Sequence, residues 1–183
     1  MVHIKHTPED FQKSKITLDT HPVDSHRGKC LIIDVPNCQG KTTRGFLMFE
    51  DEEEAIKKQV RDLCMEHKPQ RVLEVGFGLG YTATQFQECG IKKHVIVEAH
   101  PQMVEDAQRW RQKYPDKDIQ IVPSFIQEYD YNESDYDLIY DDRYEMVHGD
   151  TVKREDLVER GYSSSGFSGQ FPCWKVIGDT TKK

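Results

Sequence analysis

Three glycines and two acids define the chemistry open to this chain. Gly76, Gly78 and Gly80 lie in the run Arg71-Val-Leu-Glu-Val-Gly-Phe-Gly-Leu-Gly-Tyr-Thr-Ala-Thr84; Glu74 stands two residues before the first glycine, and Glu98 comes 18 residues after the last. Glycines so spaced let a backbone turn sharply against a ligand. Where such a turn joins a strand to a helix, free N–H groups and the positive end of the helix dipole face one crevice. The dinucleotide fingerprint is G-x-G-x-x-G, whereas this loop is G-x-G-x-G, which weighs against a pyrophosphate. Glu98 ends the apolar run His94-Val-Ile-Val-Glu98, where a carboxylate can take both hydroxyls of a ribose. A cofactor with a ribose and no phosphate, such as S-adenosyl-L-methionine, suits this set. The alternative is a plain strand–turn–helix whose glycines serve packing.

A second acidic group follows the run Tyr136-Asp-Leu-Ile-Tyr140, which ends in Asp141 and Asp142. Open α/β sheets place reacting groups at the carboxyl ends of their strands. Stability alone explains two adjacent carboxylates there poorly, because like charges repel and raise one another's pKa. In the loop Pro123-Ser-Phe-Ile-Gln127, Phe125 and Ile126 could flank an adenine ring or simply pack in the core.

The elements that must carry these residues alternate as strand and helix. Val72, Leu73 and Val75 predict a buried parallel strand, and a helix begins near Tyr81. Ile56, Val60, Leu63 and Cys64 fall at helical spacing between Asp51 and His67, and Pro69 stops that helix. The acidic start Glu50–Glu54 reads as a solvated first turn. Pro101 opens another helix with Met103, Val104, Ala107 and Trp110 on one face, Trp110 being read as core. Asp118–Val122 is a third strand. Ahead of this domain, residues 1–28 read as irregular with a short helix around Glu9–Lys15. Cys30–Val35 and Gly45–Phe49 read as a hairpin that either lids the pocket or decorates an edge. Beyond Tyr144 a helix is expected over Thr151–Glu159, a flexible Gly/Ser loop over Gly161–Gly169 and a short strand at Trp174–Ile177. The expected organisation is an extension over 1–50, a Rossmann-like α/β domain over 51–145 and a divergent segment over 146–183.

Composition narrows the partners. With 36% apolar and 31% charged residues in 183, the chain suits one soluble domain with no membrane span. The net charge of −7 argues against nucleic-acid binding and favours a cationic substrate. Five cysteines without a C-x-x-C pair and no apolar leader in Met1–Pro8 predict reduced thiols and a cytoplasmic location. Eight scattered histidines suggest no metal site.

Taken together, these residues resemble class I S-adenosylmethionine-dependent methyltransferases. Arg71-Val-Leu-Glu-Val-Gly-Phe-Gly78 is similar to the cofactor loop of the guanidinoacetate N-methyltransferases. His94-Val-Ile-Val-Glu-Ala-His-Pro101 is similar to the matching segment of the arginine δ-N-methyltransferases, and Asp137-Leu-Ile-Tyr-Asp141 to the strand that ends the catalytic half of both families. The resemblance covers about residues 46–145. It implies that Glu74, Gly76, Phe77, Gly78, Gly80, Glu98, Ala99, Phe125 and Ile126 bind the cofactor and that Met48 lies against it. It also implies that Glu52 and Asp141 are catalytic and hold a guanidinium, with Asp142 and Tyr144 near the substrate. Asp51 replaces the family's tryptophan, and Asp142 replaces its threonine.

The family continues with a helix, an L-K-P-G-G turn, a further strand and a hairpin, whereas 42 residues follow Asp141 here. Another βα unit and a hairpin need roughly 60 residues. An incomplete sheet is therefore expected, from a truncated or spliced form or with a homodimer partner on the exposed strand edge. Two rivals stand beside the guanidino methyltransferase reading. One is an aminopropyltransferase of the spermidine synthase type, and the other is a non-catalytic protein that keeps the cofactor fold.

Overall fold

Val72, Leu73, Glu74 and Val75 form the buried middle of β4 (Arg71–Val75), which sits at the centre of the main sheet. It pairs in parallel with β5 (Lys93–Glu98) on one side and β7 (Leu138–Asp141) on the other, and β6 (Asp118–Pro123) lies parallel beyond β5. The computed structural model describes residues 7–22, 24–36, 42–143, 157, 159–164 and 172–178. The chain runs from β4 through α3 (Tyr81–Glu88), β5 and α4 (Pro101–Arg111) to β6, then returns to the far side of β4 as β7. The strand order therefore reverses between β4 and β7, the place where open α/β sheets leave a crevice at their carboxyl ends. This is the expected Rossmann-like α/β arrangement.

The helices are stopped by local chemistry. α2 (Glu53–His67) follows a 3-10 turn over Glu50–Glu52 and ends at Lys68, whose left-handed backbone (φ 48°) directs its N–H to the Cys64 carbonyl at 2.9 Å. α4 starts with Pro101 behind a His100 cap. Val60 and Leu63 of α2 meet Phe86 of α3 over Val72, Leu138 and Tyr140 of the sheet. Trp110 packs with Phe77, Ala83, Ile96 and Ile119, as expected of a core residue.

The C-terminal segment differs from the expected bare edge. β9 (Cys173–Val176) pairs antiparallel with β7, and β8 (Ser163–Ser164) pairs with β9, giving the order β6-β5-β4-β7-β9-β8. An antiparallel strand needs no crossover helix, so a short segment covers the β7 edge. The helix expected over Thr151–Glu159 and the Gly/Ser loop lie largely outside the described residues.

The N-terminal part is more ordered than its breakers suggest. α1 (Pro8–Gln12) is capped reciprocally by Thr7 and Asp10, and β1 (Lys15–Thr20) follows it. β1 pairs antiparallel with β2 (Lys29–Pro36), which pairs with β3 (Thr42–Phe49), so the expected hairpin is a three-stranded sheet. Residues 15–20 thus form a strand where the sequence pattern suggests irregular structure. The Lys-Ile-Thr-Leu-Asp-Thr alternation is the missed strand signal.

Candidate active site

The glycine loop is held from below by a polar contact line. Gly76 N–H donates to the Val97 carbonyl at 2.9 Å, Gly80 N–H to the Phe77 carbonyl at 2.8 Å, and Phe77 N–H to Glu98 Oε2 at 2.9 Å. The other Glu98 oxygen accepts from His100 N–H at 2.8 Å. Burial pushes the Glu98 carboxyl up, and the amides of His100, Phe77 and Ala99 pull it back down. Each oxygen keeps a second lone pair for a ligand hydroxyl. Glu98 thus combines a buried carboxylate with a place at the end of β5, which suits a ribose.

Gly76 and Gly78 are needed for different reasons. Both have positive φ, +88° and +52°. A Cβ on Gly76 would stand 3.0 Å from the Asp142 carbonyl oxygen, while one on Gly78 would stand 2.8 Å from Met48 Cε. A methionine side chain can move, whereas a strand-end backbone cannot move cheaply. Left-handed backbone costs a residue with a Cβ about 1–2 kcal/mol in either place. Gly76→Ala is therefore expected to lower stability more than Gly78→Ala in paired urea melts; equal losses would show that the Asp142 contact does not matter.

Met48 at the end of β3 lies against the loop, its sulfur accepting from Leu79 N–H at 3.3 Å. It belongs to a cluster with Phe11, Ile16, Leu31, Ile33, Met103 and Phe125, and Leu79 and Ala99 pack at its margin. The N-terminal sheet therefore closes over the carboxyl ends of β4, β5 and β6. Phe11 lies with its ring centre 6.0 Å from that of Phe125 and meets His100 edge-on at 5.2 Å. Gln102 Nε2 donates to the Ile16 carbonyl at 2.9 Å, tying α4 to the start of β1. An open cleft runs along the outer side of the loop, lined by Leu18, Gly78, Leu79, Gln102, Met103 and Asp106 among others.

Three expected cofactor residues have side chains elsewhere. Glu74 is fully buried on the helix side of the sheet, with Oε2 2.8 Å from His94 Nε2. Alternation along β4 puts it beneath α3 with Val72, so it supports the loop and does not line the crevice. Phe77 turns its ring into the α3–α4 core against Trp110, leaving only its backbone to the loop. Ile126 packs with Leu73, Val97 and Ile139 on the opposite face. Phe125 is the one of the adjacent pair that faces the crevice cluster.

Glu74, His94 and Gln87 form a buried polar row. Gln87 Nε2 lies 3.0 Å from His94 Nδ1, so Nδ1 accepts and the ring proton on Nε2 is donated to Glu74. The histidine is therefore neutral, in keeping with burial pushing its pKa down to about 3. Burial, with the nearby Glu98 charge, pushes the Glu74 carboxyl well up.

The carboxyl end of β7 gathers acids. Asp141 is 1% exposed at the end of β7, and Asp142 N–H donates to the Val75 carbonyl at 2.9 Å. The Asp142 carboxyl is pushed up to about 8 by burial and by the charges of Glu74, Asp141 and Glu52. Glu52 accepts from Phe49 N–H at 3.2 Å and from Arg27 Nη2 at 2.9 Å. Arg27 also forks onto Asp51 at 3.0 and 3.1 Å, and its guanidinium lies 3.6 Å above the Phe49 ring. Arg143 Nε stands 2.9 and 3.0 Å from the two Asp141 oxygens. Tyr144 lies outside the described residues. Sequence reading missed both arginines. Arg143 was within reach of notice two residues after Asp141, whereas nothing local links Arg27 to Glu52.

With that geometry in place, comparison with known proteins is specific at the family level. The guanidinoacetate N-methyltransferase family profile matches residues 54–151, more than half of the chain. Protein arginine N-methyltransferase 2 of Cryptococcus neoformans var. neoformans serotype D (strain B-3501A) is 34% identical over 107 residues, covering 52% of this chain and 27% of that one. The chain thus spans about a quarter of the length of that curated relative. Among solved structures, an SAH-bound Podospora anserina methyltransferase matches with TM-score 0.39 and 23% identity, over 50% of this chain and 40% of that one. A protein-L-isoaspartate O-methyltransferase matches with TM-score 0.37 and 18% identity, over 78% and 43%.

Proposed function

The chain belongs to the guanidinoacetate N-methyltransferase family, and from that premise we propose that it transfers a methyl group from S-adenosylmethionine to a guanidino nitrogen of a small guanidino acid or an arginine. The observation that carries the acceptor class is the convergence of Glu52, Asp141 and Asp142. Burial, with the charges of Glu74, Asp141 and Glu52, pushes the Asp142 carboxyl up to about 8, so the cluster favours a cation beside it, a place that Arg143 and Arg27 take on Asp141 and Glu52 in the absence of substrate. A planar cation with several donors meets that need, and two carboxylates can grip it through paired charge-assisted hydrogen bonds.

The residues present fit the cofactor. Gly76, Gly78 and Gly80 would admit its methionine part beside Met48, Glu98 would take its ribose and Phe125 with Ala99 its adenine side. The bound cofactor supplies an electrophilic sulfonium methyl. The protein's own part is positioning and the exclusion of water. Asp141 and Glu52 orient the guanidinium, which must lose a proton before its nitrogen can attack. A carboxylate beside that nitrogen accepts the proton. A guanidinium placed next to Asp142 lowers its pKa again, so substrate binding is expected to release a proton. The family match favours methyl transfer over aminopropyl transfer.

Isothermal titration of the purified chain with S-adenosylhomocysteine tests the cofactor pocket. Glu98→Ala removes two charge-assisted bonds to the ribose and is expected to weaken binding roughly 10- to 100-fold. A folded native chain that binds no S-adenosylhomocysteine would end the transferase reading. Labelled methyl transfer to guanidinoacetate and to an arginine peptide would then identify the acceptor.

A further inference from the structure

Both acids assigned above to the substrate already hold a guanidinium, and both guanidinium groups belong to the chain itself. Arg143 engages Asp141 through Nε at 2.9 and 3.0 Å and through Nη2, and Arg27 engages Glu52 through Nη2 at 2.9 Å. Resting on the guanidino reading, we propose that Arg143 is a specificity-determining residue: it occupies the guanidinium position on Asp141 in the free protein and is exchanged for the guanidinium of the substrate.

The placement favours exchange over a fixed structural pair. A carboxylate presents one edge on which both oxygens take a planar fork, so two guanidinium groups compete for that bidentate edge, although each oxygen keeps a further lone pair. Arg143 lies two residues from Asp141 in the segment leaving β7, and its own N–H donates to Asp141 Oδ1 at 3.3 Å. Its side chain can leave by rotation about its own bonds without disturbing the β4–β7 ladder. What it leaves behind is costly, because Asp141 is 1% exposed and a buried carboxylate without a cation is strongly disfavoured. Asp141, Glu52 and Glu74 stand close enough to raise the buried Asp142 carboxyl, so a neutral replacement leaves the cluster uncompensated. An incoming fork restores the balance, whereas a neutral amine does not. Arg27 is the weaker of the two holds, its side chain 33% exposed against 15% for Arg143.

The experiment uses the full chain with S-adenosylhomocysteine present and methylguanidinium chloride as the probe. In the native protein the Arg143 side-chain Nε–H resonance, shielded by Asp141, is expected to move and to exchange with water faster as methylguanidinium saturates the site. If Arg143 occupies its site about nine-tenths of the time, Arg143→Ala binds methylguanidinium roughly tenfold more tightly than the native chain. Arg143→Lys, which keeps the charge and loses the fork, falls between them and serves if the alanine variant does not fold. Equal affinity in native and variant proteins, with an unmoved Arg143 resonance, overturns the exchange and leaves the guanidino reading intact. Failure of every form to bind methylguanidinium while all bind S-adenosylhomocysteine overturns both.

Discussion

Asp141→Asn is expected to lower methyl transfer to the guanidino acceptor by roughly 10²- to 10⁴-fold, the range of a lost general base or orienting charge. The amide keeps the shape of the carboxyl and loses both its charge and its ability to accept two parallel N–H bonds. Affinity for S-adenosylhomocysteine should survive, since Glu98 and the glycine loop stand at the ends of other strands. Arg143 would be left at 15% exposure without its partner, so stability should fall as well. The double variant Asp141→Asn with Arg143→Gln removes both charges together and separates the two effects. Activity within tenfold of native in the single variant would mean that Asp141 serves only as the structural partner of Arg143.

Acid sensitivity should trace to His94. Its folded pKa is about 3 because it is fully buried, against 6.5 for an exposed ring. Between those values the unfolded chain takes up a proton that the folded chain refuses. The contribution of His94 is therefore fully present above pH 6.5 and is lost as pH falls toward 3, by at most about 5 kcal/mol. Burial lowers His100 in the same direction, while Glu74, Glu98 and Asp142, all raised, act oppositely as pH falls. The difference between native and His94→Gln isolates the one group. Urea melts from pH 7 to pH 4 should show the native advantage over the variant shrinking by several kcal/mol; a constant difference would mean that His94 takes up its proton in the fold as readily as in the unfolded chain.

The buried row also explains why an ionisable residue sits one position before the end of the central strand. Glu74 Oε1, Thr82 Oγ1 and Gln87 Oε1 have no hydrogen-bond partner among the described groups. Leaving such atoms buried is costly, and the same burial pushes the Glu74 carboxyl well up. The row ties β4, β5 and α3 together directly beneath the glycine loop. The role first expected of Glu74, contact with the cofactor, thus gives way to support of the loop that Gly76 begins.

How much of this was legible depends on whether the deciding interaction is local. The strand over Arg71–Val75, the glycine turn, the Pro101 helix and the α2 stop before Pro69 all follow from neighbours in sequence, because turns, caps and side-chain periodicity act within a few residues. Glu98 could be placed at a strand's carboxyl end for the same reason. Faces were harder. Phe125 and Ile126 are adjacent, and only the packing shows that Phe125 joins Phe11 and Met48 while Ile126 joins Leu73 and Ile139. The β1 strand was missed because its alternation is short and its partner, β2, lies beyond an intervening 3-10 turn.

By itself, the sequence determined the α/β class, the glycine loop and the acidic candidates, all of which rest on local pattern and residue chemistry. Only the tertiary structure decided that Arg27 would cross 25 residues to Glu52, that β9 would close the β7 edge, and that the N-terminal sheet would lie over the crevice. Those outcomes depend on long-range burial and charge pairing. Such contacts form between segments whose separation along the chain says nothing about their distance in space.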